Sequence, residues 1–144
     1  MAILKAEYEV SKATFKHIEA ELYKYNQTVK EIQKLRYNVI QSTEDRDENV
    51  GGGRSGRISN PTEEAATRLT THKQLEYLED IAYSIETVHN LASEDYRQLI
   101  QIRYWSGKEY TWDGLALELK RNKRTVQRWR NEIVGAIAEV LGWR

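Results

Sequence analysis

Between Thr111 and Arg130 the chain can fold in very few ways. Thr111-Trp112-Asp113-Gly114-Leu115-Ala116-Leu117-Glu118-Leu119 has a helix-capping residue and an apolar stripe. Three polar residues, Lys120-Arg121-Asn122, then precede a second periodic segment, Lys123-Arg124-Thr125-Val126-Gln127-Arg128-Trp129-Arg130. Two helices joined by so short a link must cross steeply, and their approach needs one small side chain on the first helix facing large apolar groups on the second. Ala116 is that small residue, and Val126 and Trp129, three apart, share the opposing face. Leu115 and Leu119 extend the stripe to the same core. The outward face of the second helix then holds Asn122, Lys123, Arg124, Gln127, Arg128 and Asn131, whose donors and acceptors fit base edges and phosphates.

Charge distribution sharpens this reading. Twenty-two basic residues balance 22 acidic ones, so the whole chain exerts no strong pull on nucleic acid. From Lys120 to Arg130, however, there are six basic residues (Lys120, Arg121, Lys123, Arg124, Arg128 and Arg130) and no acid, the sequence signature of a basic stripe one helix wide. The pattern predicts a DNA-binding helix-turn-helix whose recognition helix runs from about Lys123 to Gly142. Gly142 is placed to stop it. Lys120 stands where such turns often have glycine, so either a strained positive φ at Lys120 or a differently built turn is expected.

The rest of the chain predicts an all-α protein. Pro61 is the only proline, β-branched runs are scarce, and good helix formers fill the periodic stretches. Ser11 is a candidate N-cap, with Phe15, Ile18 and Leu22 at helical spacing. A break is expected near Tyr25-Asn26, after which Val29, Ile32, Leu35 and Val39 resume the pattern, giving an N-terminal helical hairpin of helices at about 10–24 and 27–42. The polar, glycine-rich stretch 43–60 predicts a flexible loop. Its glycines follow no apolar strand and lack the lysine ending of a phosphate-binding loop. Asn60-Pro61, with Glu63 and Glu64 behind it, starts a long connecting helix over about 61–91. Its apolar series fits core packing, or a seam between subunits. Ser93 is expected to cap a helix reaching Trp105, which leads to the Thr111 cap. The expected division is therefore a helical region 1–92 and a DNA-binding domain 93–144.

Several function classes are disfavoured. Without cysteine there are no disulfides and no thiolate zinc sites. The scattered His17, His72 and His89 form no catalytic or metal-binding constellation, so no enzyme activity, catalytic residue, cofactor or metal is expected. Each is read as a surface residue of a helix. Residues Met1 to Glu7 do not resemble a secretory leader, and no stretch approaches the roughly 18 apolar residues that span a bilayer. A cytoplasmic protein with no membrane partner is expected.

Two resemblances can be drawn from quoted residues. The stretch Glu94 to Gly142 resembles the promoter-reading fourth region of bacterial sigma factors, in Arg103-Tyr104, in the threonine-capped helix with Leu115-Ala116, and in Thr125-Val126-Gln127-Arg128. Over nearly the whole chain, Ser11-x-x-Thr14-Phe15-Lys16-x-Ile18-Glu19, the glycine-rich middle, Tyr104-Trp105, and Ile133-Val134-x-x-Ile137-Ala138-Glu139-x-Leu141-Gly142 resemble the RinA/ArpU-type transcriptional regulators of phages and prophages. That resemblance implies an activator of late genes that binds promoter DNA in the bacterial host cytoplasm, with host RNA polymerase and a second copy of the chain as further candidate partners. It implies that Asn122, Lys123, Arg124, Gln127 and Arg128 read or position DNA, and with the basic stripe and the outward face the expected DNA-contacting set is Lys120, Arg121, Asn122, Lys123, Arg124, Thr125, Gln127, Arg128, Arg130 and Asn131. Arg124, Gln127 and Arg128 are expected at base edges, and Lys120, Arg121, Lys123 and Arg130 mainly at phosphates. The alternative is a small terminase subunit that recognises a packaging site and forms a ring through Leu75 to Leu91.

Overall fold

The computed structural model describes residues 9–48 and 61–144, with side chains from 42 to 48 left out of the description. It is built of α-helix: α1 (Lys12–Glu48), α2 (Pro61–Leu91), α3 (Glu94–Ile100) continuing into a π-helical turn (Gln101–Trp105), α4 (Trp112–Leu119) and α5 (Lys123–Leu141). The all-α class follows from the composition, as expected, and no strand occurs among the described residues.

The chain divides into two compact units, Met1–Asn26 with Asp80–Arg144, and Gln27–Glu79. This differs from a boundary at 92/93, because the start of α1 and the end of α2 belong with α3, α4 and α5.

The first unit owns most of the core. Ile18 and Leu22 of α1, Ile81, Ile85 and Val88 of α2, Leu99 and Ile100 of α3, Leu115 of α4, and Val126, Ile133, Val134 and Ile137 of α5 are all essentially inaccessible. Ile133, Val134 and Ile137 lie three and four apart, as one buried face of a helix requires. Trp105 donates its indole N–H to the Leu22 carbonyl at 3.1 Å and stacks on Tyr25 at 4.9 Å. The π-helical turn adds one residue to the ring closed by each backbone hydrogen bond, and in it Arg103 and Tyr104 both bond to Glu19 while Trp105 reaches Leu22. The N-cap of α1 is Ser11, whose Oγ accepts from the Thr14 N–H at 3.2 Å. Both Ser11 and Thr14 hydroxyls donate to the carbonyl of Arg144.

In the second unit, Ile32 and Thr28 are buried, Arg36 pairs with Glu79 at 3.1 Å, and Gln74 donates to Glu31 at 3.4 Å.

Two expectations are corrected. No break occurs at Tyr25-Asn26, since α1 runs unbroken through both residues. A tyrosine and an asparagine cost a helix interior only about 0.5–0.7 kcal/mol each, and burial of Ile18 and Leu22 before them and Ile32 after them outweighs that. The loop expected over 43–60 does not start at 43, because α1 continues to Glu48; positions 49–60, including the Asn60 cap, lie outside the described residues.

Candidate nucleic-acid interface

Local sequence builds the α4–turn–α5 segment. Thr111, in extended backbone at φ −70° and ψ 160°, is the N-cap of α4, and its Oγ1 accepts from the Gly114 N–H at 3.0 Å. At the far end Lys120 takes the left-handed conformation, φ 55° and ψ 42°. Its N–H bonds to Leu117 O at 3.2 Å, and that of Arg121 bonds to Ala116 O at 3.0 Å, the paired bonds of a Schellman stop. Asn122 caps α5, its Oδ1 accepting from the Arg124 N–H at 2.9 Å. The link between the helices is therefore three residues, each with a definite backbone task. Leu115, Ala116 and Leu119 of α4 and Val126 and Trp129 of α5 are buried, as the spacing predicts.

Opposite that buried seam, Lys123, Arg124, Arg128 and Asn131 are exposed, and Thr125 and Gln127 are half-buried. On a helix of 3.6 residues per turn, positions 123, 124, 127, 128 and 131 fall within one face about 140° wide. These five expected contact residues are brought together. Lys120, Arg121 and Asn122 lie on the exposed turn beside them, with the Asn122 carboxamide oxygen already engaged as the cap.

Arg130 does not join this face. Its side chain is 19% exposed and donates through Nη1 to Glu19 at 3.3 Å. The Trp112 ring lies against both Arg130 and Arg103, with guanidinium carbons 4.7 and 4.1 Å from its centroid, and Phe15 adds a further contact to Arg130 at 4.9 Å. Glu19 also accepts from Tyr104 at 2.7 Å and pairs with Arg103 at 3.4 Å. Burial, with the adjacent carboxylate, pushes the Tyr104 phenol well above its usual range. Burial works against the Arg103 charge, yet Tyr104, Tyr23 and Glu19 together hold its pKa above the guanidinium norm. A single carboxylate from α1 thus ties α5 to the π-helical turn. Nothing in the linear sequence marks Glu19 as its centre, although Arg103-Tyr104 stands out as a motif.

Acids from α3, α4 and α5 itself also meet the basic stripe. Arg121 lies 3.7 Å from Asp95, Lys123 is 3.6 Å from Asp113, and Arg128 is 4.0 Å from Glu132, which in turn accepts from the Tyr96 hydroxyl. A separate cavity of about 360 Å³ is lined by Tyr23, Arg103, Lys108, Glu109, Tyr110, Thr111 and Trp112. His89 packs on Trp105, and His17 stacks on Trp143 at 4.6 Å. Among the described residues, no group of three or more His, Asp or Glu side chains could hold a metal ion, and no helix is long and apolar enough to cross a membrane.

Comparison with known proteins agrees with the whole-chain likeness. Residues 23–139 match the family described as "Protein of unknown function (DUF722)". The chain is also 26% identical over 138 residues to the transcriptional activator rinA of Staphylococcus phage phi11, covering 96% of this chain and 97% of that protein. No solved structure matches.

Proposed function

From the premise that the chain belongs to the DUF722, RinA-type family, we propose that it is a phage or prophage transcriptional activator that binds promoter DNA sequence-specifically. The observation that carries the reading is the single exposed face of Lys123, Arg124, Gln127, Arg128 and Asn131 behind a three-residue turn, with Val126 and Trp129 anchoring the opposite side. Similarity to the phi11 activator supports transcription as the setting.

In this reading α4, the turn and α5 form a helix-turn-helix like that of sigma region 4, and the N-terminal half of α5 enters a major groove. Arg124, Gln127 and Arg128 read base edges, for which a bidentate guanidinium suits guanine and a carboxamide suits adenine. Lys120, Arg121 and Lys123 hold phosphates, Thr125 and Asn131 flank them, and Asn122 contributes mainly by fixing the first turn of α5. Arg130 leaves the phosphate-binding set and supports the fold. The helices outside the α4–α5 segment would carry contact with host RNA polymerase or a second copy, and the regulated genes are late genes. No observation favours the packaging alternative.

The test is a salt-dependent titration of the protein against the DNA upstream of its neighbouring late genes, with scrambled duplex and an Arg124→Ala/Arg128→Ala variant as controls. Preference for the promoter duplex, lost in the variant, is the expected result. Equal affinity for both duplexes at every salt concentration overturns the reading.

A further inference from the structure

Four of the six cations between Lys120 and Arg130 stand within 4 Å of a carboxylate in three dimensions, although that stretch of sequence contains no acid. Arg130 is held by Glu19, Arg128 lies near Glu132, Arg121 meets Asp95 and Lys123 meets Asp113. The last two pairs differ from the others. Their acids belong to the first turns of α3 and α4 rather than to α5, where Glu132 lies, and, unlike the buried Glu19, they are exposed, Asp95 at 50% and Asp113 at 83% of the side chain. The cations they meet flank α5 at its entry point. An acid in a first turn also favours the helix dipole, but the dipole does not require a carboxylate within 4 Å of a recognition-helix cation.

We propose that Asp95 and Asp113 are specificity-determining residues, which hold Arg121 and Lys123 away from indifferent phosphates. The inference rests on the DNA-binding reading above. For either cation to engage a phosphate, it must exchange a carboxylate partner for it, and the abandoned carboxylate then faces the DNA backbone. Both effects oppose sequence-independent binding, which comes from phosphate neutralisation and counterion release. At the correct site, base-edge contacts from Arg124, Gln127 and Arg128 supply the compensating attraction. Specificity is a difference between two affinities, and a repulsive element lowers the unwanted one. The balanced overall charge fits the same logic, because it leaves little general attraction for DNA to mask this local control.

The experiment compares wild type with Asp95→Asn, Asp113→Asn and the double variant on promoter and scrambled duplexes across a salt series, with thermal melting measured in parallel. Each variant should bind scrambled DNA about two- to fivefold tighter, steepen the salt slope by about one unit and narrow the promoter-to-scrambled ratio. Lys123→Ala in the Asp113→Asn background should cancel the gain, and Asp113→Glu should retain wild-type behaviour. Loss of helix stability alone lowers the melting temperature and cannot tighten binding. Scrambled-duplex affinity and slope equal to or below wild type, while wild type still prefers the promoter, overturn this proposal alone. A wild type that binds neither duplex overturns it together with the DNA-binding reading.

Discussion

Arg130 donates to Glu19 at 3.3 Å, so a cation that the sequence places in the basic stripe is turned inward to join α5 to α1. Both side chains are more than four-fifths buried, and removing one member of such a pair leaves the other charge uncompensated. Arg130→Ala should therefore lower folding stability by about 2–4 kcal/mol. The salt slope of DNA binding should stay unchanged. Chemical denaturation and a salt titration of the same protein check the two outcomes, and a slope shallower by a full unit would return Arg130 to the phosphate-binding set.

Arg128 and Lys123 should behave differently although both are exposed cations of α5. Replacing Arg128 with alanine should cost about 1–3 kcal/mol of specific binding and relax preference at one base position. Lys123→Ala should weaken binding to all sequences alike and flatten the salt slope by about one unit. Competition assays with single-base variants of the site separate these patterns, and identical behaviour of the two variants would count against the assigned roles.

Lys120 stops α4 at φ 55°, a conformation that costs a side-chain-bearing residue roughly 1–2 kcal/mol. Glycine removes the strain but has more freedom to lose on folding. Lys120→Gly should raise stability by about 0.5–1 kcal/mol, measured by denaturant unfolding, while removing one phosphate contact from the proposed interface.

Ala116 is 8% exposed, among the buried residues of the core that α4 shares with α5. Enlarging it to leucine should destabilise the protein by about 1–3 kcal/mol through overpacking. Promoter binding should fall with it, because the first turn of α5 is positioned by that packing. Near-wild-type melting and affinity would show that the small side chain is not required.

Alkaline pH should weaken the fold through Tyr96, whose pKa is pushed up to about 12 by burial and by its bond to the Glu132 carboxylate. In the unfolded chain the phenol titrates near 10. The folded state thus keeps a proton that the unfolded state releases. The contribution is complete below about pH 10 and is lost as pH rises from about 10 to about 12. Melting curves across that range should show the loss, and Tyr96→Phe should reduce its steepness.

Which features the sequence revealed follows from the range of the forces involved. Thr111 and Lys120 act on backbone groups within a few residues, so that cap and that turn were legible from local chemistry, whereas Asn122, read as a contact residue, also caps α5. Ala116, Val126 and Trp129 were legible because a three-residue link leaves two helices few ways to pack. The supposed break at Tyr25-Asn26 failed for the opposite reason: a weak local preference lost to burial of Ile18, Leu22 and Ile32 along one continuous helix. Length and periodicity could not locate the end of α1 within a polar stretch that has no strong stop signal before its glycines.

The sequence by itself determined the helical class, the Ser11 and Thr111 caps, the three-residue turn and the face of α5 that carries Arg124, Gln127 and Arg128, since these depend on residue type and on a fixed period of 3.6. Only the tertiary structure decided which cations of the basic stripe remain available. Glu19, Asp95 and Asp113 lie 111, 26 and 10 residues from Arg130, Arg121 and Lys123, their respective partners. Charge pairing depends on distance in space, and packing of α1, α3 and α4 around α5 brings those carboxylates within 4 Å of their cations.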